Sequence, residues 1–128
     1  MGLLVNILLI SGGGASGALA RAGVAWLFVE RVGVGPLGTL VVNLLGCLLF
    51  GAARAAVDQF EWGTDQQRTF LFTGFLGAFT TFSTFEADVF TLWTEEMRLW
   101  SALYVVASVV GGIACFVAGY LIVSRVRG

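Results

Sequence analysis

Hydrophobic residues in this chain form long runs that are separated by short polar segments. Four such runs can be marked, and they cover residues 3–28, 37–57, 68–94 and 99–123. Each run is about as long as an α-helix that crosses a bilayer, roughly 20 residues. The runs do not alternate between apolar and polar positions, as the strands of a membrane barrel do. The pattern therefore predicts four transmembrane helices.

The third run contains a stretch that is a poor helix former. Residues 73–88 read TGFLGAFTTFSTFEAD, in which Gly74 and Gly77 weaken the helix. Hydroxyl side chains that compete for backbone hydrogen bonds follow at Thr80, Thr81, Ser83 and Thr84. A break inside a membrane survives only where protein or water covers it, and broken helices bind ions in transporters. We predict that the third helix is broken in mid-membrane.

The composition narrows the class of protein. The chain has 128 residues, of which 58% are hydrophobic and 12% charged, so it is expected to be a single all-α membrane domain spanning 1–128. It has no histidine, and all seven basic residues are arginine. Most enzyme chemistry relies on histidine, lysine or a nucleophile beside a base, so an enzyme is not expected. The net charge of −1 gives no basic surface for nucleic acid.

Polar residues recur on one face of two predicted helices. Thr39, Asn43 and Gly46 are spaced i, i+4 and i+7, among leucine and valine. A similar face on the fourth run carries Tyr104, Ser108 and Gly111. An asparagine within a span needs a partner. Asn43 either hydrogen bonds to another helix or lines an ion path, where its amide offers N–H donors to an anion.

Phenylalanines cluster around the predicted break. Seven of the eleven lie between residues 70 and 90, and Phe79, Phe82 and Phe85 repeat every three residues. Such a stripe usually packs in a core, but here it is interleaved with hydroxyls. The edge of an aromatic ring is electropositive, so inward-facing edges can contact a small anion.

Charged residues near the ends of the runs have two open interpretations. Arg21 either extends to the membrane interface or faces a wet cavity, where it would concentrate anions. Glu86 and Asp88 are two positions apart on a helix, so they cannot both face one pathway. Which of the two acids faces a vestibule stays open.

The arginines give little preference for one orientation in the membrane. Four spans place both termini on the same side, together with Arg54, Arg68, Arg125 and Arg127, against Arg31, Arg98 and Arg21 on the other. A chain with this balance can insert both ways and form an antiparallel dimer. Four spans are also few to enclose a polar path, which favours a homodimer with twofold symmetry.

The two cysteines lie in separate apolar runs. Neither Cys47 nor Cys115 belongs to a motif with disulfide or metal-site spacing. Both are therefore interpreted as small buried hydrophobic residues.

Two motifs resemble those of the fluoride channel family known as Fluc or CrcB. They are GTLVVN at residues 38–43 and TGFLGAFTTFSTF at residues 73–85, and the likeness covers essentially the whole chain. The resemblance implies an antiparallel, dual-topology homodimer of four-helix subunits with two fluoride pores. It also implies a structural, untransported Na⁺ at the dimer centre, held by the backbone carbonyls of Gly77 and Thr80.

The resemblance further implies roles for individual side chains. Fluoride-facing positions would be Asn43, Phe82, Phe85, Thr39, Ser83, Thr84, Tyr104 and Ser108, with Arg21 and Asp88 in the vestibule. The implied function is passive fluoride export across the inner or plasma membrane, which lowers fluoride toxicity. The chain departs from the family pattern at Ala78, Glu86 and Gly112. Alanine would be strained at position 78 if the break required a positive φ there.

Two other functions compete with an ion channel. A proton-coupled multidrug transporter of four helices needs a carboxylate in its first helix, and the first run has no acid before Glu30. A subunit that serves only in assembly would explain the small residues. It would not explain so many buried donors around Asn43.

Overall fold

The described part of the chain, residues 2–127 of a computed structural model, is almost entirely helical and contains no β-strand. Its helices are α1 (Leu3–Val32), α2 (Gly35–Phe60), α3 (residues 65–79), α4 (Phe82–Thr94) and α5 (Arg98–Ser124). α1, α2 and α5 are each long and apolar enough to cross a membrane. A short 3₁₀ turn, Arg125–Arg127, follows α5, and the side chain of Arg127 lies outside the described residues.

The helices extend beyond the hydrophobic runs that predicted them. Only Gly33 and Val34 separate α1 from α2, because Gly33 adopts a left-handed conformation with φ 71° and ends α1 within one residue. Pro36 lies in the first turn of α2, where its missing N–H is not needed. Hydropathy marks where polar side chains begin, whereas a helix continues until its backbone is capped.

α3 begins and continues in different helical forms. Thr64 caps its first turn, Asp65–Arg68, and exchanges hydrogen bonds with Gln67. The helix then widens into a π-helix over Thr69–Leu76 and closes with one α-helical turn, Gly77–Phe79. π-Helical turns are rare and are often found at functional sites.

Glycines bring α1 and α3 into direct backbone contact. A Cβ on Gly74 would lie 2.9 Å from the Cα of Gly13, and a Cβ on Gly17 would meet the carbonyl of Phe75. Side chains at these positions would separate the two helices. The expected close packing of the glycine-rich first span is confirmed, and its partner is α3.

α5 connects α2 with α4. α2 and α5 touch where Gly51 faces the Phe116 backbone and Gly119 faces the Leu48 backbone. Near the start of α5, the buried Ser101 donates a hydrogen bond from Oγ to the carbonyl of Val89 in α4, at 3.1 Å. These contacts hold α4 beside the α2–α5 pair.

α3 and α4 are separated by two extended residues, which we call the α3–α4 junction. Thr80 has φ −82° and ψ 155°, and Thr81 has φ −146° and ψ 115°. The third hydrophobic run thus corresponds to two shorter helices in the structure. Ala78 lies in the helical turn before the junction, and the described non-glycine residues with positive φ are Glu61 and Glu96. Ala78 therefore does not have a positive φ, and the backbone strain that such a conformation would cause is absent.

Candidate functional site

Asn43 of α2 braces the α3–α4 junction through two hydrogen bonds. Its Oδ1 accepts the N–H of Thr81 at 2.8 Å, and its Nδ2 donates to the carbonyl of Thr81 at 3.0 Å. A backbone N–H can only donate and a carbonyl can only accept, so these bonds fix which way the amide points. The second N–H of the amide remains available for another partner. Asn43 thus links α2 to the α3–α4 junction and retains one N–H donor for a further partner.

The junction hydroxyls end one helix and begin the next. Thr80 donates from both its backbone N and its Oγ1 to the carbonyl of Leu76, at 3.2 and 3.1 Å. The Oγ1 of Thr81 accepts the N–H of Thr84 at 3.3 Å, which caps α4, and donates to the Oγ1 of Thr84 at 3.0 Å. The hydroxyl cluster therefore supplies local hydrogen bonds in place of continuous helix.

Two backbone carbonyls lose their usual helical partners at the junction. In a continuous helix, the carbonyl of Gly77 would accept the N–H of Thr81, which instead donates to Asn43. The carbonyl of Thr80 would accept the N–H of Thr84, which instead donates to the side chain of Thr81. Free carbonyl oxygens are suitable ligands for a hard cation. The pair expected to hold Na⁺ thus fits that ion chemically.

A groove of about 400 Å³ opens beside the junction, between α2, α4 and α5. Its lining includes Asn43, Thr80, Thr81, Phe82, Phe85 and Ser108. The Oγ of Ser108 is buried and has no hydrogen-bond partner within the described chain. Because an unpaired buried hydroxyl is unfavourable, this group has an unused capacity to bind a ligand in the groove.

The two groove phenylalanines differ in exposure. Phe85 is buried and packs against Tyr104, with ring centroids 5.5 Å apart. Phe82 is 74% exposed, and its ring centroid lies 5.7 Å from that of Phe85. Phe85 therefore belongs to the core of the subunit, whereas Phe82 projects from its surface.

Tyr104 and Asp88 form a separate polar pair. The hydroxyl of Tyr104 donates to Oδ2 of Asp88 at 3.0 Å. Thr39 and Tyr104 are both buried. Asp88 consequently turns toward α5, whereas Glu86 is exposed on the outer side of α4. The hydroxyl of Tyr104 is therefore already engaged with a carboxylate, and neither Thr39 nor Tyr104 lines the groove.

The family described as "CrcB-like protein, Camphor Resistance (CrcB)" matches residues 8–120. The chain belongs to the CrcB-like family. A protein named "Fluoride-specific ion channel FluC" from Chlorobium phaeobacteroides is 40% identical over 114 residues, which cover 88% of each chain. Proteins of the same name from Paracoccus denitrificans and Chloroflexus aurantiacus are 45% identical over 108 residues and 40% identical over 115. These alignments cover 84% and 89% of this chain, and 85% and 91% of the relatives.

The remaining predicted site residues of this CrcB-like chain lie outside the groove lining. Ser83 and Thr84 are exposed in the first turn of α4. Arg21 is half-buried on α1, and α1 supplies none of the described side chains that line the groove.

Three further residues shape the groove of this CrcB-like chain, although the sequence alone does not predict them as site residues. A Cβ on Gly46 would meet the methyl group of Thr80, so glycine allows the junction to approach α2. The position of Gly46 on the same helical face as Thr39 and Asn43 is the sequence feature that could have indicated this role. Phe50 and Phe116 complete the wall, with ring centroids 6.0 Å apart. They lie on different helices, and no sequence spacing relates them.

Proposed function

We propose that this chain is a fluoride-selective channel that passively exports fluoride from the cytoplasm and so lowers fluoride toxicity. The match along nearly the whole chain to proteins named as fluoride-specific ion channels carries this proposal. The three apolar helices support a multi-pass membrane protein, which we place in the inner or plasma membrane. The protein would act as a channel and not as an enzyme.

The chemistry of the groove supports an anion pathway. Fluoride holds water strongly, so a selective path must replace its hydration shell with several donors. The second N–H of Asn43, the unpaired hydroxyl of Ser108 and the ring edges of Phe82 and Phe85 supply neutral contacts of this kind. The described groove lining has no charged side chain. An arginine there would bind the ion too tightly for rapid release.

We infer that two oppositely inserted copies form the working unit. Phe82, Ser83 and Thr84 are exposed beside two extended residues of the junction, and Glu86 is exposed one turn later. Hydroxyls, a carboxylate and non-helical backbone are not tolerated against lipid tails. A second copy would cover this face and close each groove. The near balance of arginines at the two ends is compatible with antiparallel insertion.

The carbonyls of Gly77 and Thr80 would hold a structural Na⁺ at the centre of that dimer. Each subunit contributes two oxygens whose helical partners donate elsewhere, so a twofold axis brings together four. Such an ion would join the two junctions electrostatically and would not be transported. Arg21 and Asp88 would lie at the vestibule, with Asp88 orienting Tyr104.

The function is tested by ion efflux from liposomes containing the purified protein. A fluoride electrode should record rapid fluoride release, whereas chloride release should stay at the level of protein-free liposomes. Equal release of the two halides would contradict the proposal. A proton-coupled multidrug transporter is not favoured, because Glu30, the first acid of α1, lies in its last turn. Fluoride efflux independent of a proton gradient would separate the two functions.

A further inference from the structure

The two cysteines lie at the closest approach of α2 and α5. Gly119 meets the backbone of Leu48, and Gly51 meets the backbone of Phe116. Cys47 directly precedes Leu48, and Cys115 directly precedes Phe116. Both thiols are therefore carried by the segments at which the two backbones touch.

The helical faces bring the two thiols together. Gly112, Cys115 and Gly119 are spaced i, i+3 and i+7, so Cys115 lies on the face of α5 that contacts α2. The Cβ position of Gly112, one helical turn before Cys115, is 3.5 Å from the Sγ of Cys47, so the two cysteines lie at the same level of the α2–α5 contact. Both are free and partly buried. The tertiary structure thus creates a pair of thiols that their sequence positions do not indicate.

Cys47, one member of the thiol pair, is accessible from the groove. Cys47 lines the groove together with Ser108 and Phe116. It also lines an adjoining cavity of about 360 Å³, whose wall includes Gly112. An ion that enters the groove can therefore reach Cys47 without the separation of α2 and α5.

The surroundings restrict which ion the pair can hold. Within the described residues no group of three or more histidine, cysteine or acidic side chains could bind a metal. A cation at this pair would therefore have only the two sulfurs as side-chain ligands. Zinc in structural sites takes four ligands and is unsuited. Soft cations prefer thiolates, and a divalent cation balances two thiolate charges in an apolar environment.

We propose that Cys47 and Cys115 form a two-thiolate site for a thiophilic divalent cation that accepts linear coordination, for which Hg²⁺ is the probe. Each S–H releases its proton to water, two sulfur–metal bonds form, and no atom changes oxidation state. The product is neutral and lies at the groove wall. If the groove is the fluoride path of the proposed function, the bound ion obstructs it.

Metal retention tests the site in purified full-length protein, independently of transport. Wild-type protein and the variants Cys47→Ala and Cys115→Ala are loaded with Hg²⁺, washed with excess monothiol and analysed for bound mercury. The wild type should retain the ion, and each variant should hold it on the order of 100-fold more weakly, because one sulfur loses the advantage of a linked second ligand. Cys115→Ser serves as a second variant if Cys115→Ala does not fold. Equal retention by wild type and single variants would overturn the proposal.

Fluoride efflux provides the second readout. After loading with Hg²⁺ and the same monothiol wash, efflux should stay slow in the wild type and return to the untreated rate in Cys115→Ala. A block that survives the wash in Cys115→Ala would show that the second thiol is not needed and would reject the two-thiolate site. If the wild type conducts no fluoride, the proposed function fails, whereas the retention measurement still decides whether the thiols act as a pair.

Discussion

The two hydrogen bonds between Asn43 and Thr81 should contribute more to stability than any other side-chain contact at the junction. Asn43→Leu keeps a similar volume but leaves the N–H and the carbonyl of Thr81 unpaired. An unpaired buried polar group costs about 1–3 kcal/mol, and because Thr81 is only half-buried, losing both bonds should destabilise the protein by about 1–3 kcal/mol in total. This is a substantial part of the stability of a small domain, about 5–15 kcal/mol.

Asn6 of α1 provides a matched control for this substitution. Its Oδ1 is buried and has no hydrogen-bond partner in the described chain. Replacing a polar group that has no partner with an apolar one should be close to neutral, within about 0.5 kcal/mol, or stabilising. Asn6→Leu and Asn43→Leu therefore make the same chemical change in two different hydrogen-bonding environments.

The assay is denaturant unfolding of the detergent-solubilised protein, followed by circular dichroism, together with fluoride efflux from liposomes. Asn43→Leu should unfold at a much lower denaturant concentration than Asn6→Leu. Asn43→Asp keeps the acceptor for the N–H of Thr81 but removes both N–H donors and turns a carboxyl oxygen toward the Thr81 carbonyl, so it should lose stability and most of the fluoride efflux. Equal midpoints for the two leucine variants would refute the bracing role of Asn43.

Three further predictions concern packing, the aromatic pair and the cation. Gly119→Ala should destabilise the protein by about 1–3 kcal/mol, because the added Cβ meets the Leu48 carbonyl. Gly23→Ala is the control: a Cβ there has nothing within 4 Å, so this variant should be neutral or stabilising. Equal unfolding midpoints for the two variants would contradict the close α2–α5 contact. Phe82→Ile and Phe85→Leu should each cut fluoride efflux. Because Phe82 is 74% exposed in the single subunit, Phe82→Ile should leave the subunit's own fold nearly unchanged. Undiminished efflux in either variant would remove the role of the ring edges. Replacing Na⁺ with a large organic cation should weaken the dimer in size-exclusion chromatography, and a dimer indifferent to Na⁺ would argue against the Gly77–Thr80 site.

Much of the helical layout could be predicted from the sequence. Hydropathy located α1, α2 and α5 to within a few residues at each end, because burial of an apolar helix in a membrane depends mainly on its own composition. The glycines and hydroxyls of residues 73–88 predicted an interruption, and the helices there end at Phe79 and resume at Phe82. The position of this junction within the bilayer stays a prediction, as do the dimer and the ion.

The sequence by itself determined which segments are helical and which residue types are available near the junction, since both follow from local composition and spacing. Only the tertiary structure decided the partners: Asn43 with Thr81, Tyr104 with Asp88, and Cys47 against Gly112 of α5. It also left Ser108 unpaired in the groove. The physical reason is that pairing depends on where helices cross, and glycine contacts between residues far apart in the chain set those crossings.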